Sequence, residues 1–183
     1  PKRTGRPRVS KLACKSHVSA VYEEIIQGES LQRSAPNRRH EEILERLHTF
    51  VAAALPDAAG LRLSSPRALL ELTPGDWLHP DLMLIDQQSN EPYLVAEVIG
   101  SRDHTPDTVT KKALYEASHV PRVWMIDPRY DNVEIYHDTR YGLSLKGILA
   151  GKETLSDKRL PALRLTIESL FAQAQLGSTP TPT

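Results

Sequence analysis

Two acidic residues interrupt stretches that otherwise read as buried strands. Asp81 opens the run Leu82-Met83-Leu84-Ile85, and Glu97 breaks Tyr93-Leu94-Val95-Ala96-Glu97-Val98-Ile99. A charge in such a segment is costly if left unpaired, so it pairs with an opposite charge, binds metal or sits at a functional edge. An ion pair or a solvated strand end accounts for either acid alone. Both together, with Lys111 and Lys112 on a following helix, favour a site.

Two carboxylates on neighbouring strands can share a hard divalent cation, completed by water and a backbone carbonyl such as that of Val98. The cation polarises a phosphoryl oxygen and lowers the pKa of a bound water. A lysine beside it holds or helps deprotonate the attacking water, or neutralises charge on the phosphate. Acid, acid and lysine on a sheet edge are the parts needed for metal-assisted phosphodiester hydrolysis.

The elements that must position them can be read from periodicity and turn residues. Val18 to Ile26 has helical spacing, and Gly28-Glu29 marks a turn. Asn37 is an N-cap for a helix from near Arg38, with Ile43, Leu44, Leu47, Phe50, Val51 and Ala54 on one face and Pro56 ending it. Leu61 to Leu63 and Ala68 to Leu72 read as short strands joined at Pro66, followed by a turn at Pro74-Gly75. The two acid-bearing strands come next, linked by a polar hairpin at Gln87 to Pro92. Thr105-Pro106-Asp107 reads as a helix start. That helix runs to about His119, with Lys111, Leu114, Tyr115 and Ser118 on its bulkier stripe. Pro121 to Asp127 is a buried strand, and Val133 to Tyr136, Leu143 to Leu149 and Thr154 to Leu155 are further strands. A final helix spans Ile167 to Gln175. This order defines an α/β (α+β) protein without internal repeats.

The chain has 183 residues, 39% hydrophobic and 25% charged, which suits one soluble domain with a sizeable core. The formal net charge of +0 conceals an asymmetry: Lys2, Arg3, Arg6, Arg8, Lys11 and Lys15 open the chain without an acid among them. The division expected is a basic, flexible arm over 1–17, one domain over 18–176 and a disordered Ser/Thr/Pro-rich tail over 177–183. The arm resembles an AT-hook at Gly5-Arg6-Pro7, with Thr4 where the pattern has arginine, so Arg3, Arg6 and Arg8 are candidate DNA contacts. The single Cys14 excludes an internal disulfide framework and suits a reducing compartment. With neither a spanning apolar run nor a signal-peptide core in the sequence, the expectation is a cytoplasmic protein without membrane association. The histidines lack zinc-like spacing.

Taken in order, His79-Pro80-Asp81, Ala96-Glu97-Val98-Ile99, Asp107, Lys111, Tyr115, Val120-Pro121 and Trp124-Met125-Ile126-Asp127-Pro128 resemble the Uma-two family of putative restriction endonucleases, within the PD-(D/E)XK nuclease superfamily. Upstream, Gly28-Glu29 and His40 extend the likeness, which covers about Glu23 to Leu170. The resemblance implies a restriction-endonuclease-like core, a mixed central sheet flanked by helices. It makes Asp81 and Glu97 ligands of Mg²⁺ or Mn²⁺. The superfamily's lysine two residues after the acid is replaced by Ile99, and Lys111 is the positional match on the next helix, with Lys112 as fallback. Glu29 and His40 become accessory candidates. Gly100-Ser101-Arg102-Asp103 departs from the family's Ser-Pro-Ser-Thr-like loop. Plainer readings make His40 a capping or packing residue and Trp124 and Tyr115 parts of the core.

The leading expectation is therefore a divalent-metal-dependent endonuclease acting on DNA, possible as a homodimer. The alternatives are a non-catalytic DNA-binding module that keeps the fold, and a homo-oligomeric structural protein whose acids only pair with lysine.

Overall fold

The computed structural model describes residues 8–9, 22–56, 59–100 and 106–173. Its centre is a six-stranded sheet that includes β4 (Leu61–Leu63), β7 (Leu82–Asp86), β8 (Pro92–Val98) and β9 (Arg122–Asp127). It is completed by β10 (Asn132–Thr139) and β11 (Gly142–Ala150), in the order β11-β10-β9-β8-β7-β4. Every residue of β8 is buried, as are four of the five in β7. Burial on both faces explains why these strands read as continuous apolar runs rather than alternating ones.

Of the strand pairs in this sheet only β8 and β9 run parallel. A parallel pair needs a crossover that carries the chain back along the sheet. The crossover begins just beyond Glu97, and Lys111, in its described part, reaches back to that acid. It is a π-helical segment, Pro106–Lys111, followed by α2 (Lys112–Ala117). The regular α-helix expected from Thr105 to about His119 is thus replaced over its first part by the wider π turn. Lys111, Leu114 and Tyr115 nevertheless lie buried along the expected stripe. Thr105 lies outside the described residues.

A second, five-stranded sheet has the order β1-β5-β6-β2-β3. Its strands are β1 (Arg8–Val9), β2 (Tyr22–Ile26), β3 (Glu29–Arg33), β5 (Leu70–Thr73) and β6 (Asp76–Leu78). Ile26, Leu70, Leu72 and Leu78 pack with Met83, Ile85, Val95, Val123, Met125 and with Leu114 and Tyr115 of α2 in one core cluster. The opposite face of the central sheet is covered by α1 (Arg38–Ala54), α3 (Ile167–Phe171) and the hairpin of β12 (Thr154–Asp157) and β13 (Leu160–Thr166).

Several expected elements are corrected. The described part of Val18 to Ile26 is strand, not helix. Gln27 and Gly28 both take positive φ, at 54 and 81, which is the two-residue turn geometry that closes a hairpin. The chain from Glu29 is the polar edge strand β3, which the periodicity did not signal. Leu61–Leu63 and the strand after Pro66 enter different sheets. Phe50 stands 38% exposed, off the buried face of α1 that carries Ile43, Leu44, Leu47, Val51 and Ala54. Strands β6 and β13 were also unsignalled. The final helix ends at Phe171 in the described chain, and the expected tail from Gly177 lies outside it.

Candidate active site

Asp81 stands one residue before Leu82, whose partner across the ladder is Ala96, so it lies opposite Glu97 at one end of the central sheet. Asp81 is 2% exposed, and both of its carboxylate oxygens accept hydrogen bonds. Oδ2 accepts the Val98 N–H at 2.8 Å, while Oδ1 meets His40 Nε2 at 2.9 Å and Arg67 Nε at 3.2 Å. Burial alone would push this carboxyl up. The charge and hydrogen bond of His40, the Arg67 guanidinium and the Val98 N–H outweigh burial and hold it at about 2.

His40 reaches Asp81 because of the cap on α1. Asn37 Oδ1 accepts the His40 N–H at 2.9 Å and so sets where the helix begins. Two turns on, His48 Nε2 donates to the Asp81 backbone carbonyl at 3.2 Å. One helix therefore grips both the side chain and the main chain of Asp81.

Glu97 sits beside it with its own cation. Lys111 Nζ is 3.2 Å from Glu97 Oε1 and 3.1 Å from Oε2, and the Tyr115 hydroxyl donates to Oε1. Lys111 also meets Glu24 Oε1 at 2.8 Å. Its side chain is 1% exposed, so this ammonium is held almost entirely by protein oxygens. Glu24 accepts the His79 N–H at 2.9 Å and pairs with Arg33 Nε at 3.4 Å, tying the small sheet to the site. On the same strand as Glu24, the Tyr22 ring meets the His79 ring edge-on, with centroids 5.3 Å apart. Burial pushes the Tyr22 hydroxyl well above its usual range; Lys111 opposes that, and Asp81, Glu97 and Glu24 add to it.

The structure thus brings together Asp81, Glu97, Lys111 and His40. Glu29 is not among them: it is exposed at the start of β3, and the buried acid of this hairpin is Glu24. Sequence reasoning missed Glu24 because the segment was read as helix. Read as a strand, Glu24 shares the inward face with Ile26. Lys112 also turns elsewhere, to the Tyr136 hydroxyl at 3.4 Å and over that ring. Arg38 and Arg39 engage Glu42 and Asp131 on the surface. His40 is capped through its backbone and also touches Asp81 through its ring. Tyr115 is core and a Glu97 ligand at once, and Trp124 is core. Of the arm, Arg3 and Arg6 lie outside the described residues; the backbone of Arg8 pairs with Glu71.

Among the described residues, no three His, Cys, Asp or Glu side chains are arranged to hold a metal ion. The donor chemistry of Asp81, Glu97 and the Val98 carbonyl nevertheless suits Mg²⁺ or Mn²⁺. Mg²⁺ commonly keeps several waters and takes one or two carboxylates rather than a full protein cage.

A mixed sheet with a parallel pair at its centre, and two acids and a lysine at one end of that pair, define a protein of the restriction-endonuclease-like fold. The chain belongs to the Uma2 family, described as "Putative restriction endonuclease", whose model matches residues 19–168. Among solved structures it is similar to a putative nuclease of the DUF820 group from Anabaena variabilis. That match has a TM-score of 0.67 and 15% identity, and covers 82% of this chain and 89% of the other. No curated protein matches it. Among the described residues no helix is long and apolar enough to cross a membrane.

Proposed function

We propose that the protein is a divalent-metal-dependent nuclease that hydrolyses phosphodiester bonds in DNA. The observation that carries this reading is the buried Lys111 ammonium, held 2.8 Å from Glu24 and 3.1 Å from Glu97, one strand away from Asp81. Asp81 and Glu97 are the metal ligands in this reading, and the ion supplies Lewis-acid polarisation of the phosphate and a more acidic bound water. Lys111 orients the attacking water or neutralises charge gathering on the phosphate. Glu24 and Tyr115 position Lys111 and Glu97, and His40 fixes the Asp81 carboxylate. Family membership supports the reaction class.

Cleavage of supercoiled plasmid with Mg²⁺ or Mn²⁺ tests it, comparing wild type with Asp81→Ala and Lys111→Ala. Each variant is expected to lose about 10²- to 10³-fold in rate. Equal activity in all three would sink the assignment. A homodimer would present one active site to each strand, and sedimentation of the active species tests for it.

One observation favours a second reading, a DNA-binding module without cleavage. Both candidate metal ligands already carry cationic partners, Asp81 with Arg67 and Glu97 with Lys111. That reading expects salt-sensitive DNA binding that survives Asp81→Ala and weakens when residues 1–17 with Arg3, Arg6 and Arg8 are removed.

A further inference from the structure

Arg67 touches the Asp81 carboxylate directly, yet neither the sequence motifs nor the proposed chemistry employs it. It lies in the connection between β4 and β5 and adopts a φ of 54, a left-handed backbone that bulky residues rarely take. Its carbonyl accepts from His79 Nδ1 at 2.8 Å, which holds the main chain against the residue that precedes Pro80-Asp81. The guanidinium is split between two acids: Nε lies 3.2 Å from Asp81 Oδ1, and Nη2 lies 2.9 Å from Glu41 Oε1. Neither carboxylate is gripped by the paired, fork-to-fork bonds that arginine forms best. The Arg67 side chain is 19% exposed, against 3% for Asp81, so it is the partner of that carboxylate that reaches toward solvent.

Two consequences follow from charge and lone-pair count. Asp81 Oδ1 already accepts from His40 and Arg67, which occupies both of its lone pairs. A cation arriving at that oxygen must displace one of them, and Arg67 is the more exposed of the two. Once displaced, its planar fork is free to turn while the His79 contact holds the Arg67 main chain in place, and its donors suit two oxygens of one phosphate. We propose that Arg67 occupies Asp81 in the metal-free protein and, when metal binds, transfers to a non-bridging oxygen pair of the substrate phosphodiester. The inference rests on the nuclease reading for its second half only.

Calorimetric titration with Mn²⁺ and plasmid cleavage at saturating Mn²⁺ test the two halves separately. Arg67→Gly suits the test because glycine accepts the left-handed backbone, and Arg67→Lys keeps the charge without the fork. Arg67→Gly is expected to bind Mn²⁺ about tenfold more tightly, as one charge-assisted contact to Asp81 no longer competes. That gain should vanish in an Asp81→Asn background. The same variant is expected to lose about 10²-fold in kcat/KM, with Arg67→Lys recovering part of the loss. Unchanged or weaker Mn²⁺ binding by Arg67→Gly overturns the exchange, because a purely structural ion pair would give that result. Tighter Mn²⁺ binding with full cleavage overturns the phosphate role. If wild type cleaves nothing, the nuclease reading and the phosphate role fall together, and the Mn²⁺ titration still decides the exchange.

Discussion

Glu24 on β2 and Lys111 on the crossover meet at 2.8 Å with both side chains withdrawn from water, although one comes from the small sheet and the other from the π-helical segment after β8. The pair joins the small sheet to the end of the large one that holds Glu97. A buried pair is weak evidence for stability by itself, yet removing one partner strands the other's charge.

Lys111→Met is therefore expected to destabilise the fold by about 3 kcal/mol, since it leaves Glu24 and Glu97 without their shared ammonium. Adding Glu24→Gln should recover part of that loss, because one buried negative charge goes with it. Urea unfolding midpoints of the single and double variants measure the coupling; strictly additive losses would count against a shared ion pair.

The acid limb of stability should depend on Asp81. Its folded pKa is depressed from 3.8 to about 2, with burial opposing the shift and His40, Arg67 and the Val98 N–H enforcing it. A carboxylate with a lowered folded pKa contributes stability that is present above its ordinary value and is lost as pH falls toward about 2. The contribution is roughly 2 kcal/mol. Wild type should lose this increment between about pH 4 and pH 2, whereas Asp81→Asn should not. Parallel unfolding slopes for the two proteins across that window would refute the assignment.

Asn37→Ala should cost about 1 kcal/mol of stability by removing the cap on α1. It should also reduce cleavage, because the same hydrogen bond places His40 against Asp81. Asn37→Ser, which can cap in the same way, is expected to restore both. Restored stability without restored cleavage would separate the cap from the site.

Tyr115→Phe tests whether the hydroxyl on Glu97 matters beyond packing. The ring volume stays, so stability should change by no more than about 1 kcal/mol, while Glu97 loses one donor. Mn²⁺ affinity is expected to shift with little change in the unfolding midpoint. A large stability loss with unchanged metal binding would assign Tyr115 to the core alone.

An alkaline check lies at the start of β8, the strand that carries Glu97. Burial and the 2.9 Å hydrogen bond to Asp157 push the Tyr93 hydroxyl up to about 12. A raised folded pKa means the neutral phenol is favoured in the fold. Its stabilisation is complete below the ordinary pKa of 10.0 and fades as pH rises toward about 12. Phenolate absorbance of wild type against Tyr93→Phe should show this late-titrating group.

The α1 helix illustrates how much can be read locally. Asn37, the apolar spacing and Pro56 mark its ends and buried face without reference to any other element, because capping and helical periodicity are local properties. Asp81 and Glu97 were legible for a related reason. Strands buried on both faces make any charge conspicuous, and the Uma2 motifs matched around them. Phe50 and β6 show the limit, since exposure and edge pairing depend on what lies alongside.

By itself, then, the sequence determined α1, the two acid-bearing strands and the family, and it offered Lys111 as the candidate lysine. Only the tertiary structure decided that Glu24 rather than Glu29 joins Lys111, that His48 grips the Asp81 main chain, and that Arg67 caps its carboxylate. Those partners come from a hairpin, the far turn of a helix and a loop in left-handed conformation, whose side chains meet only after the two sheets pack. Local propensity carries no information about such meetings, because long-range ion pairs form between segments whose own patterns are satisfied without them.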